Sequence, residues 1–140
     1  MRSAGSVESS VRRLELLSND GAALVIRRDE SPEAWGWQVK LSDRDASATA
    51  RVDPNAGASV AEFFADLARE WRGWSDAKIW EPFERGLRLS ARHDGLGHVA
   101  LRVTLQQGIY PDGWSLEATL KLDAGALDAI ARDAARLSAA

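Results

Sequence analysis

Residues 87–122 read LRLSARHDGLGHVALRVTLQQGIYPDGWSLEATLKL, and this stretch decides the fold class. Leu87, Leu89, Ala91 and His93 alternate with Arg88, Ser90 and Arg92. Val99, Leu101, Val103 and Leu105 alternate with Ala100, Arg102 and Thr104, and Trp114, Leu116, Ala118, Leu120 and Leu122 alternate with Ser115, Glu117, Thr119 and Lys121. A period of two places successive side chains on opposite faces of a strand. Three such strands in sequence make an antiparallel meander with one buried and one solvated face. A three-residue loop at Gly95-Leu96-Gly97 sets Asp94 opposite His98, Ala91 opposite Leu101, Leu89 opposite Val103 and Ser90 opposite Arg102. Apolar then meets apolar throughout, as a half-buried sheet requires. A four-residue loop at Gly108-Ile109-Tyr110-Pro111 sets Glu117 beside Arg102 as a cross-strand ion pair.

Upstream of the meander lies the clearest helix. Ser59 and Glu62 have the spacing of a capping box. Val60, Phe63, Phe64, Leu67 and Trp71 follow as one apolar stripe, with Gly73 as the expected stop. Before it, Leu14–Leu17 and Leu24–Arg28 flank Ser18-Asn19-Asp20-Gly21, a favoured hairpin corner. Trp35, Trp37, Val39 and Leu41 alternate with Gly36, Gln38 and Lys40. After the polar turn at residues 42–45, Ala46–Asp53 continues as a weaker strand, ended by Pro54-Asn55-Ala56-Gly57. At the other end Leu127, Ile130, Ala134 and Leu137 take helical spacing, with Asp128 early and Arg132 and Arg136 late, as the helix dipole favours.

The order is ββββ-α-βββ-α, which reads as α+β: an antiparallel sheet of about seven strands with two helices packed on one face. At 140 residues the chain fits one domain, with residues 1–10 a polar leader and residues 11–140 the folded unit. No apolar run reaches the roughly 20 residues of a membrane helix, and the N-terminus lacks the apolar core of a secretory signal. The chain has no cysteine, which removes thiolate chemistry and fits a reducing, cytoplasmic location. A net charge of −3 argues against a nucleic-acid partner.

The search for chemistry comes back empty. The two histidines, His93 and His98, share a hairpin with Asp94, but alternation sends His93 inward and His98 outward, so no metal site is expected. There is no G-x-S-x-G, and no Gly-rich loop opens a helix. Most acidic residues fall in turns or on helix exteriors. No catalytic residue and no cofactor is expected, and a hydrolase using carboxylates and His98 is the reading the sequence favours least.

Two features point instead to binding. Five of the six tryptophans form two groups, Trp35/Trp37 and Trp71/Trp74/Trp80. Trp35, Trp37 and Trp71 fall on expected core faces. Trp74 and Trp80 lie in the irregular stretch 73–84, where an exposed Trp suits an interface. The solvated face of the meander carries Arg88, Arg92, Arg102 and Lys121 against Glu117, a cationic surface on an anionic chain. Such asymmetry steers an acidic partner. Arg88, Arg92, Arg102, Trp74 and Trp80 are therefore the candidate partner-binding residues. The alternative is a small-molecule or scaffold module with an apolar pocket lined by Trp35, Trp37, Phe64 and Trp71.

Phe63–Leu67, Trp71-Arg72-Gly73-Trp74, Trp80-Glu81-Pro82, Leu87-Arg88-Leu89, Gly97-His98-Val99 and Trp114 together resemble a small bacterial family of unknown function, common in actinobacteria. That family is distantly similar to WapI-type immunity proteins, which protect a cell from its own secreted toxin. The resemblance spans roughly residues 60–137, with the first strands matching in pattern only. It implies a stoichiometric, non-enzymatic binding protein and assigns no catalytic residue.

Overall fold

Each apolar alternation becomes a strand whose even or odd positions turn inward. A computed structural model of the chain describes residues 11–29, 36–53, 59–81, 86–108 and 112–138. The first sheet holds β1 (Val11–Leu17), β2 (Ala23–Asp29), β3 (Trp37–Asp43) and β4 (Ala46–Val52) in that order, all antiparallel. The second holds β5 (Lys78–Trp80), β6 (Leu87–His93), β7 (His98–Gln107) and β8 (Trp114–Asp123), also antiparallel and in chain order. Helix α1 (Val60–Arg69) joins the sheets, and α2 (Leu127–Ser138) follows β8 after a 3-10 turn at Ala124–Ala126.

The fold is thus α+β, with its strands divided between two four-stranded sheets rather than laid in one of seven. The inner faces of both sheets are apolar, so each covers the other. Leu24, Ile26, Val39 and Leu41 share one core with Leu89, Leu101, Val103 and Leu120. Trp37 of β3 stacks on Trp80 of β5, ring centres 6.4 Å apart. The two helices pack on each other, and α2 also packs on β1. Val60, Phe63, Phe64 and Leu67 of α1 and Leu127, Ile130, Ala134 and Leu137 of α2 complete the core. Arg28 donates to the carbonyl of Leu137 at 2.9 Å, a cation at the C-terminal end of α2.

Turn chemistry places the ends. Ser18 and Ala22 close the first hairpin main chain to main chain, with Gly21 at φ +99°. Ser59 caps α1, its Oγ accepting the N–H groups of Ala61 and Glu62. The helix ends at Arg69, ahead of Gly73, and the apolar stripe ends with it. Trp71 therefore lies beyond the last turn, 50% exposed, instead of in the core. The turn between β3 and β4 is tighter than expected, since Ser42 and Asp43 already pair with Ser47 and Ala46. The expected leader, Trp35 and the Pro54–Gly57 turn lie outside the described residues.

The β6–β7 register is the expected one, with Leu89 opposite Val103, Ser90 opposite Arg102 and Ala91 opposite Leu101. The β7–β8 register differs by two residues: Arg102 faces Thr119, and Thr104 faces Glu117. The connection is longer because β7 runs to Gln107 and pairs with Trp114, leaving six residues between them. A shift of two keeps every side chain on its expected face.

Candidate interaction surface

The outward positions of the second sheet line up in rows across its strands. Across its rows, Ile79, Ser90, Arg102 and Thr119 stand side by side, as do Arg92, Ala100 and Lys121, and Arg88, Thr104 and Glu117. Arg92, Arg102 and Lys121 are exposed and Arg88 is half-buried. Arg102 lies 3.6 Å from Glu117, a diagonal ion pair that the shifted register still permits. Arg88, Arg92 and Lys121 make no ion pair among the described residues. Arg88 and Arg92 flank Ser90 along β6, so both are diagonal neighbours of Ile79, which is 53% exposed. The surface is therefore cationic with an apolar point on its β5 side.

Sequence reasoning missed Ile79 because β5 is three residues long, too short to show a period. The same strand corrects the expectation for Trp80. This residue does not sit in an irregular connector. It pairs with Leu89 across the β5–β6 ladder, stacks on Trp37 and is 3% exposed, so it offers no surface to a partner.

Trp74 is half-buried and does stand in a connector, between α1 and β5. Its indole N–H donates to the Ala91 carbonyl at 3.1 Å, and its ring meets His93 edge to face at 5.1 Å. The Lys78 ammonium lies 5.5 Å from the ring centre and bonds the carboxylates of Asp66 at 2.6 Å and Glu70 at 3.1 Å. The Lys78 hydrogen bond holds Asp66 below the ordinary carboxylate range, against the opposing effect of burial. Burial pulls Lys78 down, but its bonds to Asp66 and Glu70 outweigh that and leave its pKa raised. This cluster fastens the connector to α1 and the second sheet. Trp71 projects from the same connector with the Arg72 guanidinium 5.2 Å from its ring centre.

His93 and His98 diverge. His93 Nδ1 accepts the Gly95 N–H at 2.8 Å, which fixes Nε2 as the donor to the Trp71 carbonyl at 2.8 Å. His98 is exposed, with Nδ1 3.0 Å from Asp94 Oδ2. Asp94 also accepts the N–H groups of Leu96 at 2.6 Å and His98 at 3.1 Å, and these bonds, Leu96 first, lower its pKa. Both rings thus serve the hairpin. Of the residues named for an apolar pocket, Phe64 is fully buried, Trp37 packs on Trp80 and Trp71 is half exposed, while Trp35 lies outside the described residues.

A family profile, that of the family of unknown function DUF6228, matches residues 17–140, and the chain belongs to that family. The match takes in the first sheet from the end of β1 onward, well beyond the stretch from residue 60 on which the resemblance rested. Neither a curated protein nor a solved structure matches the chain. Among the described residues no helix is long and apolar enough to cross a membrane.

Proposed function

We propose that this member of the DUF6228 family is a cytoplasmic, non-enzymatic binding protein that docks an acidic protein partner on the outer face of its second sheet. The observation that carries the reading is the exposed Ile79 at the β5 edge beside Arg88 and Arg92, with Arg102 in the same row. An exposed apolar side chain beside cations supplies a desolvated anchor of the kind interfaces use, and the cations supply steering. Trp71 and Arg72 stand exposed on the connector, which Trp74 holds to β6. The resemblance to WapI-type immunity proteins suggests the partner's identity: a toxin domain of bacterial origin, neutralised one to one.

The test has two parts. A candidate bacterial toxin domain is expressed with and without the protein, and growth is scored in each case. Association kinetics of the purified pair are then measured for wild type and Arg88→Glu/Arg92→Glu across a salt series. Rescue of growth, with a slower on-rate and a flatter salt dependence in the variant, is the expected result. Unaltered kinetics would remove this face from the interface, and growth arrest in the presence of the protein would remove the antidote role.

A further inference from the structure

The outer face of the first sheet carries a second, separate concentration of cations. Its inward positions are filled by Leu14, Leu16, Leu24, Ile26, Val39 and Leu41, so the alternate residues must point to solvent. There the pairing places Arg13 opposite Arg27, Arg27 opposite Gln38, and Gln38 opposite Arg51, a single row across all four strands. All four side chains are exposed. Lys40 stands two residues from Gln38 on the same face, and two carboxylates hold outward positions of the strands, Glu15, 3.3 Å from Arg13, and Asp29, which the register sets opposite Val11 at the end of β2. Arg27 makes no ion pair among the described residues, although its cross-strand neighbour Arg13 is a like charge. Like charges directly opposite each other on a sheet are destabilising, and a bound anion converts that repulsion into attraction.

We infer that this row is a binding surface for an extended acidic polypeptide segment, distinct from the surface on the second sheet. Three inter-strand steps of about 4.8 Å make the row about 14 Å long, and carboxylates on one side of an extended chain recur about every 6.7 Å, so three of them span about 13 Å. The row therefore matches a segment with acidic residues at alternate positions lying across the strands. Guanidinium forks and the Gln38 amide are the donors such carboxylates accept. A single-stranded nucleic acid fits less well, because none of the described outward positions of this sheet is aromatic and no base has a ring to stack on.

The test uses a fluorescent peptide of about ten residues alternating Glu and Ser, with an oligothymidylate of similar charge alongside. Binding is measured by anisotropy at low salt to wild type, to Arg13→Gln/Arg27→Gln and to Arg88→Gln/Arg92→Gln. The expected result is salt-sensitive peptide binding that weakens about tenfold in the first variant and holds in the second. Removing two opposed cations should leave the thermal midpoint unchanged or raised. If the double variant does not fold, Arg27→Gln and Lys40→Gln singly carry the same comparison. Absence of peptide binding to wild type, equal binding to the Arg13/Arg27 variant, or tighter binding of the oligothymidylate would overturn the inference. Loss confined to the Arg88/Arg92 variant would also overturn it, while leaving the reading of the second sheet standing.

Discussion

The hydroxyl of Ser18 accepts the main-chain N–H of Lys121 at 2.9 Å, tying the first hairpin to β8 across 103 residues of chain. β8 is an edge strand of the second sheet, with N–H groups along one side that β7 does not use. Ser18 is the one buried polar residue in the described core, and it also bonds the Asp20 carboxylate, whose pKa that bond lowers. Ser18→Ala should cost about 1–3 kcal/mol, because a partly buried N–H is left without its acceptor. Urea unfolding of the variant measures it, and a loss below about 0.5 kcal/mol would show that water replaces the hydroxyl at no cost.

The Asp66–Lys78–Glu70 cluster should limit stability at both ends of the pH scale. Asp66 has its pKa lowered from 3.8, so its contribution is present above that value and is lost as pH falls through the lower folded-state pKa. Lys78 has its pKa raised from 10.5, so its contribution is complete below that value and is lost as pH rises through the higher folded-state pKa. Stability of wild type relative to Lys78→Met should therefore be flat from about pH 5 to pH 9 and converge outside that window. A constant difference from pH 2 to pH 11 would mean that Lys78 acts through its aliphatic stem on Trp74 rather than through its charge.

The meander shows how far sequence reaches and where it stops. Leu89 and Val103 could be matched by apolarity alone, since the loop between them is short and marked by Gly95 and Gly97. The β7–β8 pairing could not, because a slip of two residues leaves the same faces apolar and is invisible to periodicity. We expect the neck of the loop to select the observed pairing. A Cβ on Gly113 would stand 2.6 Å from the Gln107 carbonyl oxygen and 2.7 Å from the Gly108 carbonyl carbon, and Gly108 itself sits at φ +84°. Gly113→Ala should cost about 1–3 kcal/mol through backbone overcrowding. Gly125→Ala, where a Cβ meets nothing within 4 Å, is the control and should change stability little. Equal effects of the two would dismiss the neck as the register device.

The aromatic residues divide in the same way. The sequence stripe Val60-Phe63-Phe64-Leu67-Trp71 has perfect helical phase, but a phase says nothing about where the helix ends. Glu70 takes the C-cap position, and one residue later the phase has lost its meaning. Trp80 was illegible for the opposite reason: its strand is too short to have a phase, and its burial comes from Trp37, which lies 43 positions earlier in the sequence. The cationic residues of the second sheet, by contrast, were readable outright, because the strands that carry them are long and regular.

Alanine substitution at the two tryptophans separates these roles. Trp80→Ala removes a ring that is 3% exposed, together with its stack on Trp37, and leaves a cavity between the sheets. The expected loss is about 3–5 kcal/mol, the range for a large aromatic side chain in a core. Trp71→Ala removes a ring that is half in solvent, while the bond from His93 to the Trp71 carbonyl belongs to the main chain and survives. Its expected loss is about 0.5 kcal/mol or less, as for an ordinary surface site. Denaturant melts of both variants decide the matter, with Trp71→Ala also entered into the partner-binding assay. If Trp71→Ala binds the partner as wild type does, the connector drops out of the docking surface and only the sheet face remains. If it unfolds the protein as far as Trp80→Ala does, Trp71 belongs to the core after all and α1 extends past Arg69 in solution.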